Sequence, residues 1–340
     1  MFGNVYGLDL GTYEIKVYDK KKNTVWKEKN AIAIANRKEI FSVGDAAYEM
    51  FEKAPSNIEI QFPMKEGVIS HFNSMQYLLQ NLLNQEKHFM RGSKYIVAVP
   101  TDVTEVEKRA FFDLVVHSTA RAKEVLIVER GIADAVGLGL DVQNEPGLLI
   151  INLGAETMEL SILSYGGVVL NKLLKLGSST LDHSIIYSVR ANHDFLIGKL
   201  SAEHLRKSFG FCSQKEYESV AVSGRNLVTR IPEQKQISVG LVRAAMKDTM
   251  KACIHETVSL LERTPPEVQR TIKNNGIYIT GGLSNLSGIA EYMSNALGMK
   301  VHSMEQPEFG TVYGLKKIID SKELMRLTYS MLDENYRWMR

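Results

Sequence analysis

The sequence predicts an α/β protein built from two lobes of similar design. The chain has 340 residues, which is enough for about two domains of roughly 150 residues each. Short apolar runs typical of buried strands alternate with stretches of helical composition. A strand–turn–strand unit opens the chain as VYGLDLGTYEIKVYD (5–19) and recurs as LLIINLGAETMELSILSYGGVVLNKLL (148–174). An internal repeat of this kind indicates two similar lobes.

The first half of the chain opens with two strands over 5–19, joined by a tight turn, and the next turn falls at Asn23-Thr24. Thr104 is the predicted N-cap of a helix, because Glu107 three residues later completes a capping box. The other elements predicted in this half are helices at 45–53 and 72–85, a buried strand at 95–100, a second at 125–128 and a helix at 133–138.

The second half begins with the repeated strand–turn–strand unit, followed by a polar stretch of mixed signals over roughly 180–245. A long helix is predicted over 240–263, because Thr264-Pro265-Pro266 ends it. A strand at 276–280 leads into Gly281-Gly282 and a further helix, and the tail, 321–340, is predicted to be helical. No long linker separates the lobes, so we expect the chain to cross between them more than once.

Composition excludes several classes of protein. Hydrophobic residues make up 44% and charged residues 24%, which are values of a globular chain and not of a disordered one. The formal net charge of +2 gives no global field for nucleic acid, so no nucleic-acid partner is expected. Two cysteines, Cys212 and Cys253, are too few for a disulfide framework or a four-cysteine zinc site, and we expect buried thiols. Without a spanning apolar run or a signal-peptide pattern, we expect a soluble, cytosolic protein.

Three glycine turns follow apolar strands and carry the strongest functional signal. They are Asp9-Leu10-Gly11-Thr12, the segment 152–157 (NLGAET) and Thr280-Gly281-Gly282. Glycine lets a backbone approach a phosphate, successive N–H groups in a turn bind anions, and an Asp at a strand end can hold Mg²⁺ through water. The turns have an alternative explanation, because glycines could be retained only where the backbone needs a positive φ. Other catalytic motifs are missing: His255-Glu256 lacks a second His, and no Walker lysine loop occurs.

The sequence resembles the MreB family of bacterial actins, within the superfamily of actin, sugar kinases and 70-kDa heat-shock chaperones. The resemblance extends over nearly the whole chain and rests on motifs along its length. GLDLGT is similar to the first phosphate loop of the family, and GIYITGGLSNLSGI to its adenosine-side loop. The other stretches are FPMKEGVISHF (62–72), VPTDVTEVEKRA (99–110), SGRNLVT (223–229) and LERTPPEV (261–268).

This resemblance implies an actin-like fold with ATP and Mg²⁺ in a cleft between two lobes. Lobe I would comprise 1–145, with a small subdomain inserted at about 32–73, and helices at about 313–340 would close it. Lobe II would comprise 146–312, with an insertion at about 182–242. The implied nucleotide-binding residues are Asp9, Gly11, Thr12, Gly154, Thr157, Gly281 and Gly282, with Asp9 as the metal residue.

The resemblance also implies partners and a location. The family forms filaments on the inner face of the cell membrane, works with the cell-wall elongation machinery and controls cell shape. The expected partners of this chain are therefore itself or a related bacterial actin, and the membrane surface.

The second phosphate loop departs from the family pattern D-I-G-G-G-T-T. Asn152 replaces an Asp that helps to hold the magnesium hydration shell, and an amide has no charge to offer the cation. Ala155 adds a Cβ where the backbone approaches phosphate, and Glu156 brings a carboxylate towards a polyphosphate. On the adenosine side, the Glu of K-I-E-I-G is lost at 206–210, and Leu283 replaces a third glycine.

The catalytic position departs as well. The family's I-E-E-P-M-A-A-A corresponds to residues 128–135, so Arg130 stands where the family has the Glu that polarises the attacking water. A guanidinium stays protonated and cannot act as a base, and the neighbouring Glu129 is expected to face elsewhere. We expect Arg130 to form an ion pair with Glu156 in the empty cleft. In the alternative arrangement, Arg130 holds the γ-phosphate directly.

Candidate surfaces for partners lie outside the cleft. Phe89 and Met90, beside Arg91 and Lys94, are the candidate membrane-inserting pair, and packing against their own lobe is the alternative. The tail aromatics at 336 and 338 form a second interfacial candidate. The helix that follows Thr104 carries two apolar stripes, Val106, Ala110 and Leu114 on one and Phe112 and Val116 on another. The second stripe is a candidate filament contact.

Three functions follow from these patterns. The first is a cytoskeletal protein of the MreB type that binds nucleotide weakly and hydrolyses little or none. The second is an active ATPase with a rearranged site, in which Thr157 or Glu129 positions the water. The third is a nucleotide-free scaffold or regulator of another bacterial actin.

Overall fold

The computed structural model describes residues 3–85, 92–117, 122–211 and 218–332. The strands, in chain order, are β1 (Val5–Leu10), β2 (Glu14–Asp19), β3 (Thr24–Lys29), β4 (Ile32–Ala35), β5 (Glu39–Val43), β6 (Ile58–Gln61), β7 (Met64–Lys65), β8 (Val68–Ile69), β9 (Lys94–Val99), β10 (Glu124–Glu129), β11 (Leu148–Leu153), β12 (Met158–Ser164), β13 (Gly167–Leu174), β14 (Phe195–Leu196), β15 (Ser219–Asn226), β16 (Pro232–Ser238), β17 (Ile277–Thr280) and β18 (Val301–His302).

The α-helices are α1 (Asp45–Tyr48), α2 (Phe72–Gln85), α3 (Glu105–Val116), α4 (Arg130–Gly137), α5 (Ser178–His193), α6 (Lys199–Phe209), α7 (Val239–Glu262), α8 (Pro266–Asn275), α9 (Ile289–Leu297) and α10 (Gly310–Asp320). Short 3₁₀ turns occupy Gly282–Asn285, Pro307–Phe309 and Leu324–Leu327.

A five-stranded sheet forms around the first strand pair, in the order β10-β9-β1-β2-β3. Strand β1 pairs antiparallel with β2 and parallel with β9, so β1 lies at the centre. Its apolar residues Leu8 and Leu10, with Ile15 and Val17 of β2, are fully buried. The predicted pair of strands over 5–19 is therefore confirmed.

The second half of the chain builds a sheet of the same design, in the order β13-β12-β11-β17-β18. Here β11 takes the central place, antiparallel to β12 and parallel to β17. The internal repeat seen in the sequence is thus a repeat of structure. The sharp turns after β1 and after β11 occupy equivalent positions in the two sheets.

Smaller sheets and the last long helix complete the fold. Strands β5-β4-β6 and β14-β15-β16 form two three-stranded sheets, and β7 pairs with β8. Helix α10 brings the chain back to the first sheet, because Val312, Leu315 and Ile318 pack in one core cluster with Ile96 and Val128.

Helix α3 begins as predicted. The Thr104 hydroxyl accepts the Glu107 N–H at 3.3 Å, and the Glu107 carboxylate accepts the Thr104 N–H at 2.7 Å. The apolar faces were assigned wrongly, however, because Phe112 is buried in the core together with Leu114. The exposed apolar residues of this helix are Val106, at 79% exposure, and Val116, at 37%.

Three other predictions need correction. The helix predicted at 45–53 is limited to Asp45–Tyr48 and continues as turns. Helix α4 begins at Arg130, three residues before the predicted start at 133, so Arg130 lies on a helix. In the described part of the tail predicted as helical, 321–332, the helical structure is limited to a 3₁₀ turn, after which Tyr329 pairs with Ile127 in an antiparallel bridge. Residues 333–340 lie outside the described range.

Candidate functional site

A cleft of about 440 Å³ lies between the turns that follow β1 and β11. One wall comes from the β1–β2 turn and the start of α4, and another from the β11–β12 turn and helices α5 and α6. The 3₁₀ turn at Gly282–Asn285 contributes as well. All seven residues implied as nucleotide-binding line this cleft, namely Asp9, Gly11, Thr12, Gly154, Thr157, Gly281 and Gly282.

The two turns at the floor of the cleft close in the same way. The Gly11 N–H donates to the Glu14 carbonyl at 3.1 Å, and the Gly154 N–H donates to the Thr157 carbonyl at 2.8 Å. A Cβ would approach that carbonyl to 2.6 Å at Gly11 and 2.7 Å at Gly154, so only glycine fits. Neither glycine has a positive φ. The idea that these turns need a positive φ is therefore wrong, and the close approach of the returning strand is the cause.

The third glycine turn, Gly281-Gly282, differs from the first two in its backbone conformation and in the space around its second glycine. Gly281 has a φ of +89°, and a Cβ there would lie 2.5 Å from the Leu153 carbonyl. A Cβ at Gly282 would meet nothing closer than Glu308, at 3.9 Å. Backbone packing therefore accounts for Gly11, Gly154 and Gly281 without a ligand, but it does not account for Gly282.

Arg130 is buried at the start of α4, with its guanidinium in the cleft. It donates to the Leu10 carbonyl at 3.3 Å, and its ion-pair partner is Glu159, at 3.6 Å. The predicted pair of Arg130 with Glu156 is wrong, because the Glu156 carboxylate accepts the Glu66 N–H at 2.7 Å. Glu156 still lines the cleft, where it bridges to the loop between β7 and β8.

Glu129 faces away from the cleft, as expected. Its carboxylate accepts hydrogen bonds from the Lys108 ammonium at 2.8 Å and from the Tyr329 hydroxyl at 2.9 Å. Burial raises the pKa of Glu129 above its usual range, against the opposing effect of Lys108. Neither Glu129 nor these two partners line the cleft, so Glu129 is not placed to position a water there.

Asp134 is a buried acid that the sequence analysis missed. Its carboxylate accepts hydrogen bonds from the Thr311 hydroxyl at 2.6 Å and from the Asn152 side-chain amide at 2.7 Å. Burial raises the pKa of Asp134 to about 7. The signal was available, because the family pattern has Ala at this position of I-E-E-P-M-A-A-A. The family pattern has Asp at 152 and Ala at 134, whereas this chain has Asn152 and Asp134, which are hydrogen-bonded to each other.

Lys16 is a second residue that the analysis missed. It lies directly opposite Asp9 in the β1–β2 register, and its ammonium is 4.0 Å from the Asp9 carboxylate and 3.8 Å from Glu14. Lys16 and Asp9 are both buried and both line the cleft. The register of the two strands, once the turn at Gly11 was fixed, would have indicated this pair.

The side of the cleft that the resemblance implies for the adenosine carries a buried ion pair. Arg206 donates to both oxygens of Asp182, at 2.7 and 3.2 Å. Burial raises the pKa of Asp182, and Arg206 opposes that effect. Leu283 is buried here as well. The wall on this side is therefore fixed by a bidentate ion pair and not by the Glu of the family motif.

The donor set does not fit Mg²⁺. Asp9 is ion-paired with Lys16. Asn152 donates its amide N–H group to Asp134, and the oxygen that it could offer to a metal ion is neutral. Within the described ranges, no group of three or more His, Cys, Asp or Glu residues is placed to hold a metal ion. Hard cations such as Mg²⁺ are held by carboxylates and other oxygen ligands, and Asp9, the acid that the resemblance implies for the metal, is already paired.

The remaining candidates concern surfaces and thiols. Phe89, Met90, Arg91 and the tail aromatics lie outside the described residues. No helix in the described part of the chain has the length and apolar character needed to cross a bilayer. Cys253 is a buried free thiol, as expected, and burial raises its pKa to about 12. Cys212 falls outside the described ranges.

Comparison with known proteins agrees with the resemblance. The model of the MreB/Mbl protein family matches residues 3–326. The cell shape-determining protein MreB of Escherichia coli strain K12 is 31% identical over 316 residues, which cover 90% of each chain.

Solved structures give the same fold. MreB5 of Spiroplasma citri bound to AMPPNP is 26% identical with a TM-score of 0.90, covering 96% of this chain and 98% of that one. Its ADP-bound structure has a TM-score of 0.88 at 27% identity, covering 94% and 96%. The MamK double helical filament, at 19% identity, shares the fold with a TM-score of 0.78 over 94% and 99% of the two chains. This chain therefore belongs to the MreB/Mbl family and has the actin-like fold.

Proposed function

We propose that this protein is a cell-shape cytoskeletal protein that assembles into filaments and binds ATP in the cleft with little or no hydrolysis. The observation that carries the second half of this proposal is Arg130. It occupies the cleft at the position where the family has its water-polarising Glu, and it is bonded to the first turn through the Leu10 carbonyl.

Nucleotide binding is supported by the cleft and by the relatives. The cleft has room for a nucleotide, the two turns line its floor, and Gly282 leaves open space on the adenosine side. MreB5, which shares this fold closely, was solved with AMPPNP and with ADP. We propose the seven lining residues implied by the family as the contacts of the phosphates and the adenosine.

Hydrolysis needs a base or a polarising acceptor next to the attacking water. Arg130 cannot accept a proton, and Glu129 is bonded to Lys108 and Tyr329. Glu159 is buried against Arg130 and accepts the Thr101 N–H at 2.7 Å. Thr157 lines the cleft, but a neutral hydroxyl is a poor base. We therefore favour a protein that does not hydrolyse ATP over an active ATPase.

A nucleotide-free scaffold or regulator of another bacterial actin is the second candidate. Two observations favour it: backbone packing explains three of the four glycines, and Glu156 keeps a carboxylate in the cleft. A calorimetric titration of the purified protein with ATP separates the two candidates, and phosphate release measured during assembly separates both from an active ATPase. We expect saturable binding without phosphate release. Absence of binding would favour the scaffold.

Self-association and membrane contact complete the proposal. The exposed apolar side chains of Val106 and Val116, near the two ends of α3, make this helix a contact for a second copy or for a related bacterial actin, since exposed apolar surface gains from being covered. We propose that Phe89 and Met90 bring the filament to the inner face of the membrane, where the cell-wall elongation machinery works. The same proposal places lobe I at 1–145, closed by 313–340, and lobe II at 146–312.

A further inference from the structure

The floor of the cleft holds two fixed protein cations close to the end of β1, where Asp9 is the acid that the family resemblance implies for a metal. Lys16 faces Asp9 across the β1–β2 pair, and Arg130 donates to Leu10, the residue that follows Asp9. The side chains of Lys16 and Arg130 are each about nine-tenths buried, at 10% and 9% exposure. Both line the cleft together with Gly11 and Gly154.

Neither cation is fully used by its protein partners. Charge-assisted N–H···O hydrogen bonds are normally about 2.7–2.9 Å long. The Lys16 ammonium lies 4.0 and 3.8 Å from its two carboxylates, and Arg130 lies 3.6 Å from Glu159. A lysine has three donor hydrogens and an arginine five, so both retain donors that can face a phosphate.

The end of the second central strand, β11, also lacks a free negative charge. Asn152 at this strand end is a neutral amide and donates its N–H group to Asp134. Glu159, which lies opposite Asn152 in the register of the second hairpin, is ion-paired with Arg130. A divalent cation placed at Asp9 would lie next to the Lys16 ammonium, and like charges at short distance repel.

We propose that the cleft binds the nucleoside triphosphate without a divalent metal, and that Lys16 and Arg130 supply the positive charge that the metal supplies elsewhere. This inference rests on the proposed nucleotide-binding function and specifies it. The polyphosphate recognised is the metal-free anion, and Asp9 orients Lys16 instead of holding a hydrated cation. Without Lys16, the Asp9 carboxylate would lose its ion-pair partner and could again hold a hydrated metal ion.

The test is a calorimetric titration of the full chain with ATP, once with excess EDTA and once with excess Mg²⁺. We expect binding in EDTA to be at least as tight as binding with Mg²⁺. Binding seen only with Mg²⁺ would overturn the inference and leave the proposed function standing. If ATP binds under neither condition, the proposed nucleotide site itself is contradicted.

Variants identify the cations. Lys16→Met and Arg130→Met should each weaken binding in EDTA by about tenfold or more, since each removes a charged hydrogen-bond donor. Lys16→Arg and Arg130→Lys keep the charge and should retain most of the affinity. Lys16→Met should also reverse the metal effect, with Mg²⁺ now tightening binding. The matched control is Lys251→Met, an exposed lysine paired with Asp248. Unchanged affinity in EDTA for both Met variants, with wild-type melting temperatures, would contradict the assignment.

Discussion

At the scale of single residues, the buried ionisable groups at the floor of the cleft all have partners. Asp134 accepts hydrogen bonds from Asn152 and Thr311, Lys16 is paired with Asp9, and Arg130 is paired with Glu159. A buried polar or charged group without a partner is costly. These partners explain how the site can differ from its family pattern and remain stable.

Asp134 should make stability depend on pH. Burial raises its pKa to about 7, so the folded protein holds a proton that the unfolded chain has lost. This contribution to stability is complete below about pH 4, the range of an unperturbed Asp, and is lost as the pH rises through about 7.

We expect Asp134→Asn to remove that pH dependence. We compare the unfolding free energy of the variant with that of wild type at each pH. The variant-minus-wild-type difference should be larger at about pH 8 than at about pH 5, by at least about 1 kcal/mol. Urea unfolding at the two pH values measures this. The control is Asp248→Asn, an exposed acid on α7. Parallel pH curves for wild type and Asp134→Asn would show that the carboxyl does not titrate as proposed.

Glu156 should weaken nucleotide binding through its charge. Glu156→Gln keeps an acceptor for the Glu66 N–H and removes the carboxylate from the cleft. The affinity for ATP should rise by about threefold to tenfold, because one repulsive charge at the mouth of the phosphate site is worth about 1 kcal/mol. Titration of Glu233→Gln, an exposed acid on the β15–β16 pair, is the control. Equal affinities for wild type and Glu156→Gln would mean that Glu156 does not guard the site.

At the scale of elements, Glu52 makes a contact between the walls of the cleft that the sequence does not predict. The Glu52 carboxylate accepts the Lys199 N–H at 3.0 Å and the Leu200 N–H at 3.4 Å, at the start of α6. Phe51 and Lys199 both line the cleft, and the Lys199 ammonium lies over the Phe51 ring. The first N–H groups of a helix lack partners within it, so a carboxylate stabilises them.

Breaking this contact should open the cleft more often. We expect Glu52→Ala to increase the dissociation rate of bound nucleotide several-fold, with little change in melting temperature, because both partners lie at the surface. Stopped-flow release of a fluorescent ATP analogue measures the rate. Glu49→Ala, an exposed acid one turn earlier, is the control. If both variants release nucleotide at the wild-type rate, the contact does not hold the walls together.

The sequence predicted the elements better than the contacts between them. Local signals were enough to predict β1, β2, α2 and the capping box of α3, because strand periodicity and helix caps depend on residues that are close in sequence. The partners of Arg130 and Glu156 depend on how the two turns face each other, and no local pattern encodes that. Asp134 was overlooked since a single acid within an apolar stretch gives no sign of its partners, Asn152 and Thr311.

At the scale of the whole molecule, the repeated sheet explains the cleft. Two sheets of the same order each present a tight turn at the end of a central strand, and the turns face one cavity. The repeat was visible in the sequence because both hairpins carry the same strand–Gly–strand pattern. The lobe boundaries and the inserted subdomains at 32–73 and 182–242 stay a prediction.

Membrane association should depend on Phe89 and Met90. The double variant Phe89→Ser, Met90→Ser removes the apolar pair beside basic residues, and co-sedimentation with anionic liposomes should fall several-fold. The melting temperature should not change, which separates anchoring from packing. Phe41→Ser, an exposed aromatic at 62% exposure, is the control. Undiminished liposome binding by the double variant would place the anchor elsewhere.

The central claim is that the protein holds ATP without hydrolysing it. The most direct measurement is the identity of the nucleotide on the protein after prolonged incubation with ATP under assembly conditions. Rapid removal of free nucleotide, denaturation and ion-exchange chromatography would identify it. We expect the bound nucleotide to be recovered as ATP, with no phosphate released above the protein-free control. Recovery as ADP with stoichiometric phosphate would contradict it, and would show that a residue other than Arg130 or Glu129 activates the water.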